Sequence, residues 1–224
     1  MVSRETFSRR LQKIESDLLF LGNKVDLTIN KSIEALKLRD KSQAFEIIKG
    51  DDYIDKLSLD LEMEAANILA TQQPTGSDLR LIIAILFMNI DLERMADHAV
   101  DISEITMNIA EEPLLKPLID IPRMIETCTE MLNEALKAFT QRDAKLALDL
   151  IEKDDLLDEL NNQIFRELLT YMLEDQRNIR RANALLMVSQ HLERMGDHAT
   201  NMGERVYYLV TGEQLKTNPH KSRY

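Results

Sequence analysis

Glu93 and Asp97 stand four residues apart, and so do Glu193 and Asp197 one hundred residues later (193 − 93). Asp101 continues the first series at the same spacing. On a helix, residues four apart share one face. Carboxylates stacked this way repel, at about 0.2–0.5 kcal/mol per pair. Water, the neighbouring Arg94 or a bound cation must offset that. Asp51 and Asp55 repeat the device, with Asp52 beside them, and Asp154 and Asp158 repeat it again beside Asp155. If these faces meet, four or more carboxylates converge in each half of the chain. Hard oxygen ligands at that density select hard cations such as Fe(III), Mn, Mg or Ca, with Zn also admissible. A carboxylate can bridge two metals, so more than one ion per group is expected.

The carboxylates sit in a phrase that occurs twice, DLERMADH at 91–98 and HLERMGDH at 191–198. Six of eight positions are identical, which marks an internal duplication. At the same offset Arg80 falls on Arg180 and Ala99 on Ala199; upstream an offset of 103 (142 − 39) aligns Arg39-Asp40 with Arg142-Asp143. The connection around Pro74-Thr75-Gly76 absorbs the three-residue difference.

Helix formers dominate the chain, and Gly and Pro number only six and five, so an all-α protein is expected. Phe7, Leu11, Ile14, Leu18, Leu21, Val25, Ile29, Ile33 and Leu36 recur at three and four, predicting a helix over about 3–38. Further helices are expected over about 42–72, 78–110, 119–140, 143–173 and 178–211, with Ser77 or Asp78 capping the third. The predicted organisation is a three-helix repeat over 1–112, a proline-bearing linker at 113–117, a second repeat over 118–211 and a polar tail at 212–224. Together they make two tandem three-helix bundles, six long helices related by an internal pseudo-twofold.

A formal net charge of −11 argues against nucleic acid and against an anionic membrane surface. It favours metal cations or a basic protein surface. The charged N-terminus lacks an apolar signal core, and the longest apolar run, 81–88, is far below the roughly 20 residues of a membrane span, so a cytoplasmic protein is expected. The lone Cys128 excludes an internal disulfide and is expected to be structural. His98 and His198 lie five positions after the glutamates, off the carboxylate stripe, and are expected to pack between helices, with hydrogen bonding to the metal-holding carboxylates as the alternative. The residue three before each His is Met95 or Met195, so the Glu-x-x-His signature of ferritin-like di-iron enzymes is missing. No nucleophile–base pair, phosphate-binding Gly loop or cofactor fingerprint is present, so no catalytic residues are assigned. A carboxylate-bridged metalloenzyme, a hydrolase or oxidase, is the alternative to a binding protein.

DDYID at 51–55, SDLR at 77–80, DLERMADHAVDI at 91–102, HLERMGDHATNMGE at 191–204 and YYLVTGE at 207–213 together resemble the PhoU family. The resemblance covers nearly the whole chain. It implies multinuclear metal clusters, iron first and also zinc; the carboxylate chemistry leaves manganese and magnesium as further alternatives. It implies a non-catalytic negative regulator of phosphate uptake and of the phosphate-starvation response. The implied partners are the ATPase subunit of the phosphate ABC transporter and a membrane sensor histidine kinase; a homodimer is expected. By resemblance, Asp51, Asp55, Glu93, Asp97 and Asp101 hold one cluster. Asp154, Asp158, Glu193 and Asp197 hold the other, completed by Asn201 or Glu204.

Overall fold

The computed structural model describes residues 4–215; the first expected helical residue and most of the expected tail, 216–224, lie outside the described residues. Six long helices follow one another: α1 (Arg4–Leu38), α2 (Lys41–Gln72), α3 (Gly76–Ile109), α4 (Asp120–Gln141), α5 (Ala144–Glu174) and α6 (Ile179–Thr211). A single 3₁₀ turn at Gln176–Asn178 introduces α6. The apolar series of α1 is buried as its spacing requires, with Ile14, Leu18, Val25 and Ile29 fully inaccessible.

The duplication is visible in local stereochemistry. α1 and α4 end in the same way. Arg39 and Arg142 adopt left-handed backbone, φ 55° and 54°. The N–H of the following aspartate donates to a carbonyl five residues back, Asp40 to Ala35 at 2.9 Å and Asp143 to Ala138 at 3.0 Å. Such a closure satisfies helix-end carbonyls and reverses the chain in two residues. The same aspartates then cap the next helix. Asp40 accepts from the N–H groups of Ser42 and Gln43, and Asp143 from those of Lys145 and Leu146. One residue thus ends one helix and starts another, in both halves. The start of α3 differs from the expected cap. Thr75 occupies the capping position and makes no side-chain cap bond, while Ser77 and Asp78 lie inside the first turn.

Within each half the third helix is central. α3 packs on α1 and α2, α6 packs on α4 and α5, and α3 and α6 pack on each other. Most buried side chains of both halves form one continuous core, with Ala35, Ala44 and Ile47 in a small separate cluster. α3 and α6 run antiparallel, and their ends are tied reciprocally. Arg80 at the start of α3 donates to the Leu209 carbonyl at 3.4 Å, and Arg180 at the start of α6 donates to the Asn108 carbonyl at 2.9 Å. A shorter contact joins α1 to α4, where Asn133 donates to Asp26 at 3.1 Å.

The capping pattern yields a test of the repeat. Asp143→Ala removes a cap bonded to two N–H groups, and a loss of about 1 kcal/mol is expected. Asp40→Ala is expected to cost a similar amount. Urea denaturation followed by circular dichroism measures both, and an unchanged midpoint for either variant would deny the cap its role.

Candidate metal centres and an interhelical polar cluster

A helix advances about 100° per residue, so residues four apart drift by about 40° per step. Over 93, 97 and 101 the drift reaches about 80°, enough to change which neighbour a side chain meets. Glu93 and Asp97 turn toward α2, where Asp51 and Asp55 wait. One carboxylate oxygen each from Asp51, Asp55 and Asp97 lies within 4.8 Å of the others. The buried Oδ1 of Asp51 accepts no hydrogen bond. Burial, then the charges of Asp55, Asp97, Asp52 and Glu93, push the Asp51 carboxyl up to about 6. Burial and Asp97 raise Glu93 as well, against the opposing charge of Arg94. Arg94 offers partial relief, 3.1 Å from Asp97 and 3.6 Å from Glu93.

The second half builds the equivalent group from α5 and α6. Asp154 is only 1% exposed. Burial, then Asp197, Asp158 and Asp154, push Glu193 up to about 7 despite Arg194. Gly196 makes room for this arrangement. A Cβ there would stand 2.3 Å from a methyl of Leu157 and 3.2 Å from Asp154 Oδ1. The first copy carries Ala96 at this position, and Asp51 and Asp55 are less buried than Asp154 and Asp158, while Asp97 is more buried than Asp197. Cys128 closes the group from below on α4. Its thiol donates to the Leu192 carbonyl at 2.9 Å, and burial, with Asp154 nearby, pushes its pKa well up.

Three residues expected in these groups lie elsewhere. Asp101 is not with Asp51, Asp55 and Asp97. It faces α6, 3.5 Å from His98 Nδ1 and 3.4 Å from His191 Nδ1. Asn201 is its repeat counterpart and likewise crosses the helix pair, donating to Asp91 at 3.4 Å. Glu204 sits about 10 Å along the axis from Asp197, seven residues on. Burial raises its pKa, Arg205 opposes, and the carboxylate whose charge adds to the rise is Asp91. The helical drift explains the first two departures, and the axial rise explains the third.

Where α3 meets α6, a second polar cluster forms. His198 Nδ1 lies 3.0 Å from Asp91 Oδ1 and donates to it. His98 and His191 bring their Nδ1 atoms within 3.2 Å. The His98 and His198 rings are 5.7 Å apart. Burial, then His191 and His198, hold His98 down at about 4, and burial lowers His191 too. His98 and His198 thus do lie between helices, but with polar partners. Asp91 belongs to the acidic series of the third helix in the sequence, but its pairing with His198, and the place of His191, do not follow from spacing. The signal available was the first letter of the repeated phrase, where the copies differ.

The family model described as the PhoU domain matches this chain twice, at 18–106 and 121–206. The phosphate-specific transport system accessory protein PhoU homolog of Aquifex aeolicus is 44% identical, over 93% of this chain and 94% of the relative. The homolog of that name from Deinococcus radiodurans is 37% identical over 94% and 99%. The crystal structure of PhoU from Pseudomonas aeruginosa superposes with a TM-score of 0.89 at 36% identity, covering 92% of this chain and all of that one. The phosphate transport system regulatory protein PhoU from Streptococcus pneumoniae gives 0.86 at 32% identity, over 93% of this chain and 99% of that one. The fold is therefore that of the all-helical proteins with two PhoU domains in tandem. The chain belongs to the PhoU family.

The raised glutamate gives a pH dependence with a definite sign. A carboxyl whose folded pKa exceeds its unfolded value contributes stability at low pH and loses it as pH rises through the folded value. For Glu193 that window runs from about 4.5 to about 7. In chelator, Glu193→Gln is expected to melt higher than the parent at pH 8, with the gap closing toward pH 4.5. Thermal melts across this range check it, and parallel curves would show that Asp154, Asp158 and Asp197 do not strain the site.

Proposed function

We propose that this protein is a non-catalytic, metal-binding regulator that damps phosphate uptake and the phosphate-starvation response. The observation that carries the reading is the pair of carboxylate groups, one between α2 and α3 and one between α5 and α6, in a chain of the PhoU family. The donor set fits a hard cation. Oxygens from α2 and α3 converge in the first group, one buried oxygen of Asp51 lacks a hydrogen bond, and in both groups neighbouring carboxylates raise one another. Asp51, Asp55, Glu93 and Asp97 would hold iron, or manganese, magnesium or zinc, in the first half; Asp154, Asp158, Glu193 and Asp197 would do so in the second. A bound cation supplies positive charge that joins the two helices of each pair. These residues themselves bind, and by binding fix the separation of α2 from α3 and of α5 from α6.

The names of the relatives place them in phosphate transport. The proposed partners are the ATPase subunit of a phosphate ABC transporter and a sensor histidine kinase, reached from the cytoplasm, with the protein itself a homodimer. The net charge of −11 suits a basic surface on either partner and would make association salt-sensitive. Among the described residues no helix is long and apolar enough to cross a membrane.

Two measurements test the proposal. Deleting the gene is expected to raise phosphate uptake or starvation-response expression in high phosphate; unchanged uptake and expression would reject the regulatory role. Asp97→Asn is expected to lower bound iron or manganese in the first half while sparing the second, read by elemental analysis of protein purified without chelator. Protein free of metal, whose melting temperature is indifferent to added iron, manganese or zinc, would reject the metal role. Ligand binding to the native state alone adds about 2.7 kcal/mol at a hundredfold excess over the dissociation constant, so the shift is measurable.

A further inference from the structure

His98, Asp101 and His191 form a cluster of a different chemical kind. Two are nitrogen donors, and they come from both central helices. The three facing atoms, Nδ1 of His98, Nδ1 of His191 and Oδ2 of Asp101, define a triangle with edges of 3.2, 3.5 and 3.4 Å. Zinc binds imidazole nitrogen and carboxylate oxygen at about 2.0–2.2 Å in a tetrahedron, whose edges are then about 3.3–3.6 Å. The observed triangle matches one tetrahedral face. Six-coordinate geometry at the same bond lengths has edges nearer 3 Å and fits less well.

We propose that His98, His191 and Asp101 form a binding site for a borderline divalent cation of the zinc type, bridging α3 and α6. The donors suit such an ion, because imidazole nitrogens favour zinc over magnesium or calcium. The rings are tilted by 51° with centroids 5.2 Å apart, so they converge on a point rather than stack. The histidine side chains are 14% and 13% exposed, but Asp101 is 46% exposed. The cluster is therefore walled by protein on one side and open to entering ions and water on the other. An ion just out of the plane of the three donors keeps a fourth position toward solvent, as three-ligand zinc sites do. The pseudo-twofold supplies an internal control. The equivalent positions are His198, Asn201 and Asp91, where the histidine is already bonded to the aspartate and the third group is an amide. Only one of the two arrangements offers two imidazoles and a carboxylate.

This site lies outside the carboxylate groups and can be tested apart from them. The probe is Co(II), added to chelator-stripped full-length protein, with zinc competition and elemental analysis after desalting. Tetrahedral Co(II) absorbs visible light far more strongly than the six-coordinate ion expected at oxygen-only sites. Asp97→Asn combined with Asp197→Asn weakens the carboxylate groups and is expected to keep the intense band and one zinc-displaceable equivalent. His191→Asn is expected to abolish that band while leaving iron or manganese binding intact. Asp101→Asn installs the residue that the second half carries at Asn201, so folding is expected to survive, and zinc affinity should fall by at least about tenfold. Circular dichroism verifies that each variant is folded; if His191→Asn is not, Asp101→Asn decides. No intense band in the parent protein, or a band undiminished by the decisive variant, overturns the site. Loss of the band only in the Asp97→Asn, Asp197→Asn protein would assign the ion to the carboxylate groups and also overturn it.

Discussion

The packing of α3 against α6 is the constraint on which the rest of the molecule depends. Each helix is enclosed on three sides, so each must assign a direction to every side chain it carries. The repeated phrase does this by angle. Leu92, Met95, Ala96 and Ala99 are fully or almost fully buried and face the core. Measured round the helix from Leu92, Glu93 and Asp97 stand at about 100° and 140°, facing α2. Asp91 and His98 stand at about 260° and 240°, facing α6. Eight residues therefore serve a core, an intrahalf carboxylate group and an interhalf polar cluster together. A polar side chain between two packed helices is tolerated only if it finds a partner there. The reciprocal bonds of Asp91 with His198 and of His98 with His191 provide those partners.

The two halves share a plan but differ in energetics. Burial is the leading cause of the raised pKa at both Asp51 and Glu193. Asp154 is sealed almost completely, while Asp51 is only half-buried and Asp55 is exposed. The two halves differ by one methyl group at the contact beside these acids. Gly196 lets Leu157 and Asp154 of α5 lie against α6, whereas Ala96 stands at the equivalent place on α3. A close approach at Gly203 reinforces it, where a Cβ would stand 2.9 Å from the Ala147 carbonyl oxygen. The two glycines thus let side chains and backbone of α5 lie directly against α6, and Asp154 loses more water than Asp51. A cation shared by oxygens in the drier group is less screened, so the two groups should differ in affinity even where their acids match.

Much of this was legible in the sequence. The apolar period of α1, the two-residue turns with their capping aspartates, and the duplication are local or repetitive signals, and each survives into the fold. The pairings of Asp51 and Asp55 with Asp97, and of Asp154 and Asp158 with Glu193, could be read because both members of each set recur at matched positions. Asp101, Asn201 and Glu204 could not be placed, because a series at four drifts and climbs while a sequence pattern treats it as one stripe. The polar cluster was hidden for another reason. Repetition was the guide to function, and its key residues, Asp91 against His191 and Asp101 against Asn201, are those at which the copies diverge.

That divergence has a physical cause. In a strictly repeated chain the antiparallel packing of α3 on α6 would set identical residues about the pseudo-twofold. An aspartate at 191 as well as 91, and at 101 as well as 201, would gather four carboxylates at a contact where Asp91 is only 8% exposed. Like charges that close repel, and around the buried Asp91 little water is at hand to screen them. Replacing one acid by His191 and another by Asn201 turns repulsion into donors. Asn201 and His198 then satisfy Asp91, and His191 faces Asp101. The carboxylate groups between α2 and α3 and between α5 and α6 escape this pressure, because the symmetry places them on separate helix pairs rather than against each other. Their acids can stay duplicated, because no copy of either group faces its own repeat.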